Sequence, residues 1–337
     1  MHDTARPVFL HAGWRTAGTW LWSAFRRRDE VLGLYEPLNE SLATLTLRTL
    51  GSMRPAATPT SNHPDEQRPY FEEFAPLFSS RTPGVAGFRR EFVYDSFFIA
   101  PDTEYPELRH YLESLVQLAQ TNGKTPVMKF CRALGRVGWM RKNFPDAAQI
   151  FVMRDPFSQW MSAWRLSNDD DNPHHLLAPM RVWTLHKDHP LVALVVKALR
   201  ISASDFVLPT KHAPSRKAVR TTPAHILYRG FLAFWLLTAY LALPECELAI
   251  ETERLNESDY RLHVQREVES LTGIAVDLSD ARSLGNVATS NDFFGAAQAH
   301  EDALRALALL EDIAPAGGKA PGPILREKLT EQVQIAS

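Results

Sequence analysis

The sequence predicts an α/β fold, a parallel sheet flanked by helices. Short runs that are apolar on both faces, such as Val8 to His11 and Gln149 to Met153, read as central strands of a parallel sheet. Between them lie stretches with apolar residues three and four apart, as at Leu108, Tyr111, Leu112, Leu115 and Leu118, which is helical spacing. With 337 residues, 45% hydrophobic and 23% charged, the chain is long enough for one large core, and a single domain over 1–337 is expected. The formal net charge of -2 gives no global basic field for nucleic acid or membrane. Cys131 and Cys246 lie far apart in apolar stretches, which gives neither a disulfide framework nor a metal site; both read as core or strand-end packing.

Val8 to His11 forms the first strand and Gly18 to Arg28 the helix behind it. In the turn between them, Gly13 and Gly18 are expected to let the backbone fold tightly with its N–H groups inward. The helix adds its positive dipole end, and together they make a seat for an anion. The ATP and GTP loop, G-x-x-x-x-G-K-[ST], uses its Lys on the terminal phosphates and its hydroxyl on magnesium. Here Gly18 runs into Thr19 and Trp20, the Lys is missing, and Arg15 stands inside the loop. That pattern favours a nucleotide handled without magnesium.

Arg26, Arg27 and Arg28 read as a solvated cap at the helix end. Val31 to Tyr35 is a second strand, and Glu36 follows it at the carboxyl edge, where open α/β sheets bind ligands. Glu36 is therefore the first candidate for a general base; its alternatives are capping the helix after Pro37 or pairing with Arg15. Gly51 to Pro69 is an exposed loop, and the aromatics of Tyr70 to Phe98 are core, with a few left for an acceptor pocket. Pro106 to Gln120 is a helix, Thr125 to Cys131 a strand, then a helix to Asn143 and the strand Gln149 to Met153. Lys129, inside a buried strand, needs a charged partner. The polar turn from Asn168 through His174 and His175 lacks metal-ligand spacing. Pro179 to Leu199 and Pro223 to Leu243 read as helices, Glu247 to Glu251 as a strand, Asp259 to Leu271 as a helix, and Ala314 to Pro323 as a hinge. Lys211, His212, Arg216, Lys217 and Arg220 form a local basic cluster. A strand starting by Pro7 or Val8 leaves no room for a signal peptide, and the apolar run Phe231 to Leu243 has the length of a buried helix. The expected location is cytoplasmic.

Arg15-Thr16-Ala17-Gly18-Thr19 and, after a mid-chain strand, Arg154-Asp155-Pro156 with Ser162 eight residues past the Arg occur in that order. The pair resembles the two signatures of the sulfotransferases that use 3′-phosphoadenosine 5′-phosphosulfate (PAPS). The Glu36-Pro37-Leu38 stretch is similar to the carbohydrate-type and related bacterial members. The resemblance implies a P-loop-type sheet, with largely helical insertions at about 51–100 and 165–225 shaping the acceptor side. It implies cofactor contacts from Gly13, Trp14, Arg15, Thr16, Ala17, Gly18, Thr19 and Trp20, with Arg154 and Ser162 on the 3′-phosphate. Lys129 would stand near the transferred sulfate. Some members carry a catalytic His at the position of Cys131, so that route is absent or replaced, and Arg254 departs from the family's Glu-Asp-Leu. The expected reaction is metal-independent transfer to a hydroxyl, less readily an amine, of a small-molecule or sugar acceptor. Glu36, Lys129 and Arg15 would be the catalytic groups, and His11 the next candidate base. The competing readings are a P-loop kinase using ATP with magnesium, and a non-catalytic nucleotide-binding protein. Acceptor identity and oligomeric state are not legible.

Overall fold

The computed structural model describes residues 6–51, 64, 68–79, 82–169, 171–202, 216–281, 294–313 and 320–336. In chain order the elements begin β1 (Val8–Ala12), α1 (Gly18–Arg26), β2 (Val31–Tyr35), α2 (Leu47–Leu50), α3 (Pro106–Thr121), β3 (Thr125–Phe130), α4 (Val137–Asn143) and β4 (Ala148–Met153). The helices α5 (Pro156–Asp169), α6 (His174–Leu185), α7 (Pro190–Ala198), α8 (Arg216–Thr221) and α9 (Ala224–Ala242) follow. The chain continues with β5 (Leu248–Glu251), α10 (Ser258–Thr272), α11 (Ala296–Asp312) and α12 (Gly322–Ala336). Where the sequence leads one to expect a single domain, the backbone groups into two compact units, Met1–Met153 with Glu245–Leu284, and Arg154–Pro244 with Gly285–Ser337.

The first unit is the α/β part. Its five strands are all parallel, in the order β2-β3-β1-β4-β5, and each matches an expected strand to within a residue. The central strand β1 pairs Val8 with Val127 on one side and with Ala148 on the other. Strand side chains alternate between faces. Val8, Leu10, Val127 and Ile150 pack with Leu21 and Phe25 of α1 and with Val264 and Val268 of α10. Phe9, Leu34, Met128 and Phe130 pack with Leu108, Leu112 and Leu115 of α3 and with Trp139 and Met140 of α4. Most of the aromatics expected in the core are there: Phe71, Phe74, Phe92, Tyr94 and Phe97 are buried. Because every strand runs the same way, the segments leaving β1, β2 and β3 emerge along one edge of the sheet.

Arg26 corrects the reading of the three-Arg run as a solvated cap. Arg27 and Arg28 are exposed, but Arg26 is buried over the Trp22 ring at 4.9 Å and donates to both carboxylate oxygens of Glu73, at 2.7 and 3.0 Å, and to Pro69 O. A buried guanidinium is tolerable when its fork meets a carboxylate, and Glu73 lies 47 residues away in sequence, which no local pattern announces.

The second unit is helical. Trp160 packs with Tyr228, Phe231 and Phe294, and His300 of α11 donates from Nδ1 to Leu329 O of α12 while its Nε2 accepts from the Tyr228 hydroxyl at 2.5 Å. Asp302, fully buried, is paired with Arg229 at 3.0 Å, with Arg200 at 3.4 Å and with Arg305. The helix expected over Pro179 to Leu199 is two helices, because Pro190 cannot continue a helix from His189, which is held extended at ψ 127°. His174 and His175 open α6 and are not part of a polar turn. Among the described residues one helical stretch, Ala224–Glu245, is long and apolar enough to cross a membrane, and 83% of its most apolar window is buried within the protein. Lys211 and His212 lie outside the described residues, as does part of Gly51 to Pro69 and of the Ala314 to Pro323 hinge. Arg220 is exposed and lies 3.8 Å from Asp171.

Candidate functional site

The turn between β1 and α1 has the expected tight form, produced differently from expectation. Neither Gly13 nor Gly18 is left-handed; the left-handed positions are Arg15 (φ 67°) and Ala17 (φ 59°). Gly18 is needed for close approach instead. A Cβ there would stand 2.5 Å from the Ala12 Cβ and 3.3 Å from the Lys129 Cε. The Thr16 hydroxyl donates to Gly13 O at 2.9 Å and closes the turn. No side chain caps the start of α1 and no acidic residue lies in its first turn, so its leading N–H groups and dipole meet no anion built into the helix itself.

Beneath this turn lies a buried charge cluster. Glu36 follows β2 at φ 45°, a conformation costing a non-Gly residue about 1–2 kcal/mol. Its backbone is pinned on both sides, its N–H donating to Lys129 O and its carbonyl accepting from Asn39 N–H, each at 2.9 Å. The side chain turns inward. Lys129 Nζ donates to Oε1 at 2.5 Å, while Oε2 accepts from Arg132 Nη1 at 3.2 Å and from Cys131 N–H at 3.1 Å. Glu36, Lys129 and Arg132 are each no more than 3% exposed. Burial works against the Glu36 carboxylate, but Lys129 and Arg132 outweigh it and hold its pKa below the usual range. Burial also opposes the Lys129 ammonium, and Cys131 and Glu36 outweigh that in turn, so its pKa is raised. Lys129 therefore has the charged partner its position demands, and Glu36 is a paired carboxylate. The helical turn after Pro37 is capped by Asn39, whose Oδ1 accepts from Ser41 N–H, so Glu36 is not its cap.

The cluster lies against the turn before α1. Cys131 Sγ accepts from Lys129 Nζ at 2.9 Å and lies 3.8 Å from Gly13 O. Burial and the Glu36 charge push the Cys131 thiol up to about 12, so it is a protonated packing group with polar contacts. Lys129 Nζ lies 5.0 Å from the centre of the Tyr35 ring, and the Tyr35 hydroxyl is 3.3 Å from Thr19 Oγ1. Trp14 is buried, and its ring lies 5.8 Å from the Arg132 guanidinium. Arg15 and Trp20 are half-buried, Trp20 donating to Asp280.

His11 does not join this group. It lies on the opposite face of the sheet from Lys129, stacked on Phe130 at 5.8 Å, with Nε2–H donating to Gln149 Oε1 at 2.7 Å. Fully buried, its pKa is lowered to about 4, against the Gln149 bond, which raises it. It is a neutral core residue, which corrects its place as the alternative base. Arg154 and Ser162 belong to the second unit, where Arg154 O accepts from Trp235 Nε1 and Asp155 Oδ1 accepts from Ser158 N–H at the start of α5. Arg254 pairs with Glu251 and Glu257 and lies 4.3 Å from the centre of the Tyr260 ring. Sequence reasoning passed over Arg132 and Tyr35. The available signal for Arg132 was a basic residue immediately past a strand that already buries a lysine.

Comparison with known protein families, with curated proteins and with solved structures finds no match for this chain.

Proposed function

We propose that the protein is a PAPS-dependent sulfotransferase acting on a hydroxyl of a small-molecule or carbohydrate acceptor. The observation that carries the reading is the juxtaposition of an uncapped helix start and its tight turn with a buried Glu36 and Lys129 pair. The order of the two sequence signatures adds to it. In this reading the acceptor oxygen attacks the sulfur in line and the bond from sulfur to the bridging oxygen breaks. The electron pair stays on the 5′-phosphate of adenosine 3′,5′-bisphosphate. Charge growing on that bridging oxygen is met by the N–H groups of the turn and by Arg15, Thr16, Gly18 and Thr19. Sulfate carries one charge fewer than phosphate, so Arg15 and Lys129 serve where a kinase recruits magnesium. Glu36, ionised by its neighbours, takes the acceptor proton. The resemblance, and not the structure, assigns the 3′-phosphate to Arg154 and Ser162.

The test is release of adenosine 3′,5′-bisphosphate from PAPS over a panel of sugar and phenol hydroxyls. Glu36→Gln is expected to lower turnover about 100-fold or more while binding the bisphosphate as the native protein does. Unchanged turnover would place the base elsewhere.

A further inference from the structure

Glu36 is held through its two oxygens in different ways. Among the described residues Oε1 has one partner, Lys129, whose Cε lies 3.3 Å from where a Gly18 Cβ would stand, directly under the anion seat. Oε2 has two, the Cys131 N–H and Arg132. The Arg132 guanidinium is itself fixed. Its second arm reaches Glu40 Oε2 at 2.7 Å, and it sits between the rings of Trp14 (5.8 Å) and Tyr94 (5.7 Å). A planar fork spanning two carboxylates between aromatic rings has little freedom, whereas a lysine on a flexible stem can change partners.

We propose that Arg132 is a positioning residue that anchors Glu36 by Oε2, so that Lys129 can leave Oε1 for the anion seat and Oε1 is the oxygen that takes the acceptor proton. The inference rests on the sulfotransferase reading. In the step, the acceptor O–H proton passes to Oε1 as the new oxygen to sulfur bond forms. The old sulfur to bridging-oxygen bond breaks, and its electrons leave with the bisphosphate. Without Arg132, transfer of Lys129 to the sulfate would strand a buried carboxylate beside neutral Cys131 and Tyr35, which favours its protonation. With Arg132 in place, Glu36 remains a carboxylate until the proton arrives from the acceptor. The groups facing it are Lys129 and Cys131 from β3 and its end, Tyr35 from β2, Arg132, and through Arg132 the Glu40 carboxylate and Tyr94.

The experiment uses the full chain with carboxyl-labelled glutamate, and the Glu36 signal is assigned by its loss in Glu36→Gln. Lys129→Met mimics departure of the lysine. Its Glu36 signal is expected to remain that of a carboxylate at pH 7, while adding Arg132→Met shifts the titration upward by at least about one pH unit. Arg132→Lys in place of Arg132→Met is expected to reverse most of that shift. A protonated Glu36 at pH 7 in Lys129→Met alone would overturn the proposal, and so would a titration unmoved by Arg132→Met. If the double variant fails to fold, Arg132→Met alone decides the matter by whether Glu36 titrates higher than in the native protein. Calorimetry with adenosine 3′,5′-bisphosphate separates the two claims. Silence there with Glu36 still anchored removes the sulfotransferase reading, whereas binding with an unanchored Glu36 removes only the role of Arg132.

Discussion

Gly18 shows how one side chain, or its lack, fixes the site. A methyl group there meets the Ala12 Cβ at 2.5 Å and presses on Lys129, and Ala12 is backbone-bound in the central strand, so the start of α1 must move. Gly18→Ala is expected to keep the helical signal in circular dichroism and to weaken adenosine 3′,5′-bisphosphate binding at least about tenfold, close to 1.4 kcal/mol; native affinity would show that the turn has room to spare. The histidines give a prediction in pH. His11 and His300 have folded pKa values lowered by burial to about 4 from 6.5. Between those values the unfolded chain binds protons that the folded chain refuses, so stability falls as pH drops from 6.5 toward 4. Each histidine costs about 2 kcal/mol by pH 5, and Glu36, lowered in its turn, adds a loss at lower pH. Urea unfolding at pH 7 and pH 5, with His11→Phe beside the native protein, measures this; equal losses in the two proteins would contradict it. At this scale the sequence was partly legible. A lysine in a buried strand demands a carboxylate, and Glu36 supplies it. Arg26 and Arg132 were not legible, because their carboxylates and rings come from segments distant in the chain.

Elements were more legible than residues. Each strand reads from a short apolar run bounded by turn residues, and α3 reads from its period and from Pro106 at its first position. The helix break before Pro190 follows from a rule readable in the sequence, where polar His186 to His189 lead into the proline. The turn before α1 was legible as a turn, but the left-handed conformation went to Arg15 and Ala17 and not to the glycines, because Gly18 is spent on contact with β1. The opening of α5 carries a prediction of its own. Arg154→Ala removes a cation assigned to the 3′-phosphate and is expected to weaken bisphosphate binding by about 10- to 100-fold, the range for a hydrogen bond to a charged group. Unaltered affinity in calorimetry would leave Arg154-Asp155-Pro156 as strand-to-helix punctuation.

For the molecule as a whole, the α/β class and the parallel sheet followed from the alternation of apolar runs and helical stretches. The strand order did not, because β1 pairs with β3 and β4 rather than with its neighbour in sequence, and such pairings are decided by distant contacts. Nor did the division into two units, since a mid-chain boundary at Arg154 carries no linker composition. What the turn before α1 binds is decided by titration calorimetry on one preparation. Adenosine 3′,5′-bisphosphate is expected to bind with a chelator present while ATP with magnesium stays silent. Binding of ATP with magnesium in preference to the bisphosphate would contradict the sulfotransferase reading and return Arg154 and Ser162 to ordinary turn and helix positions.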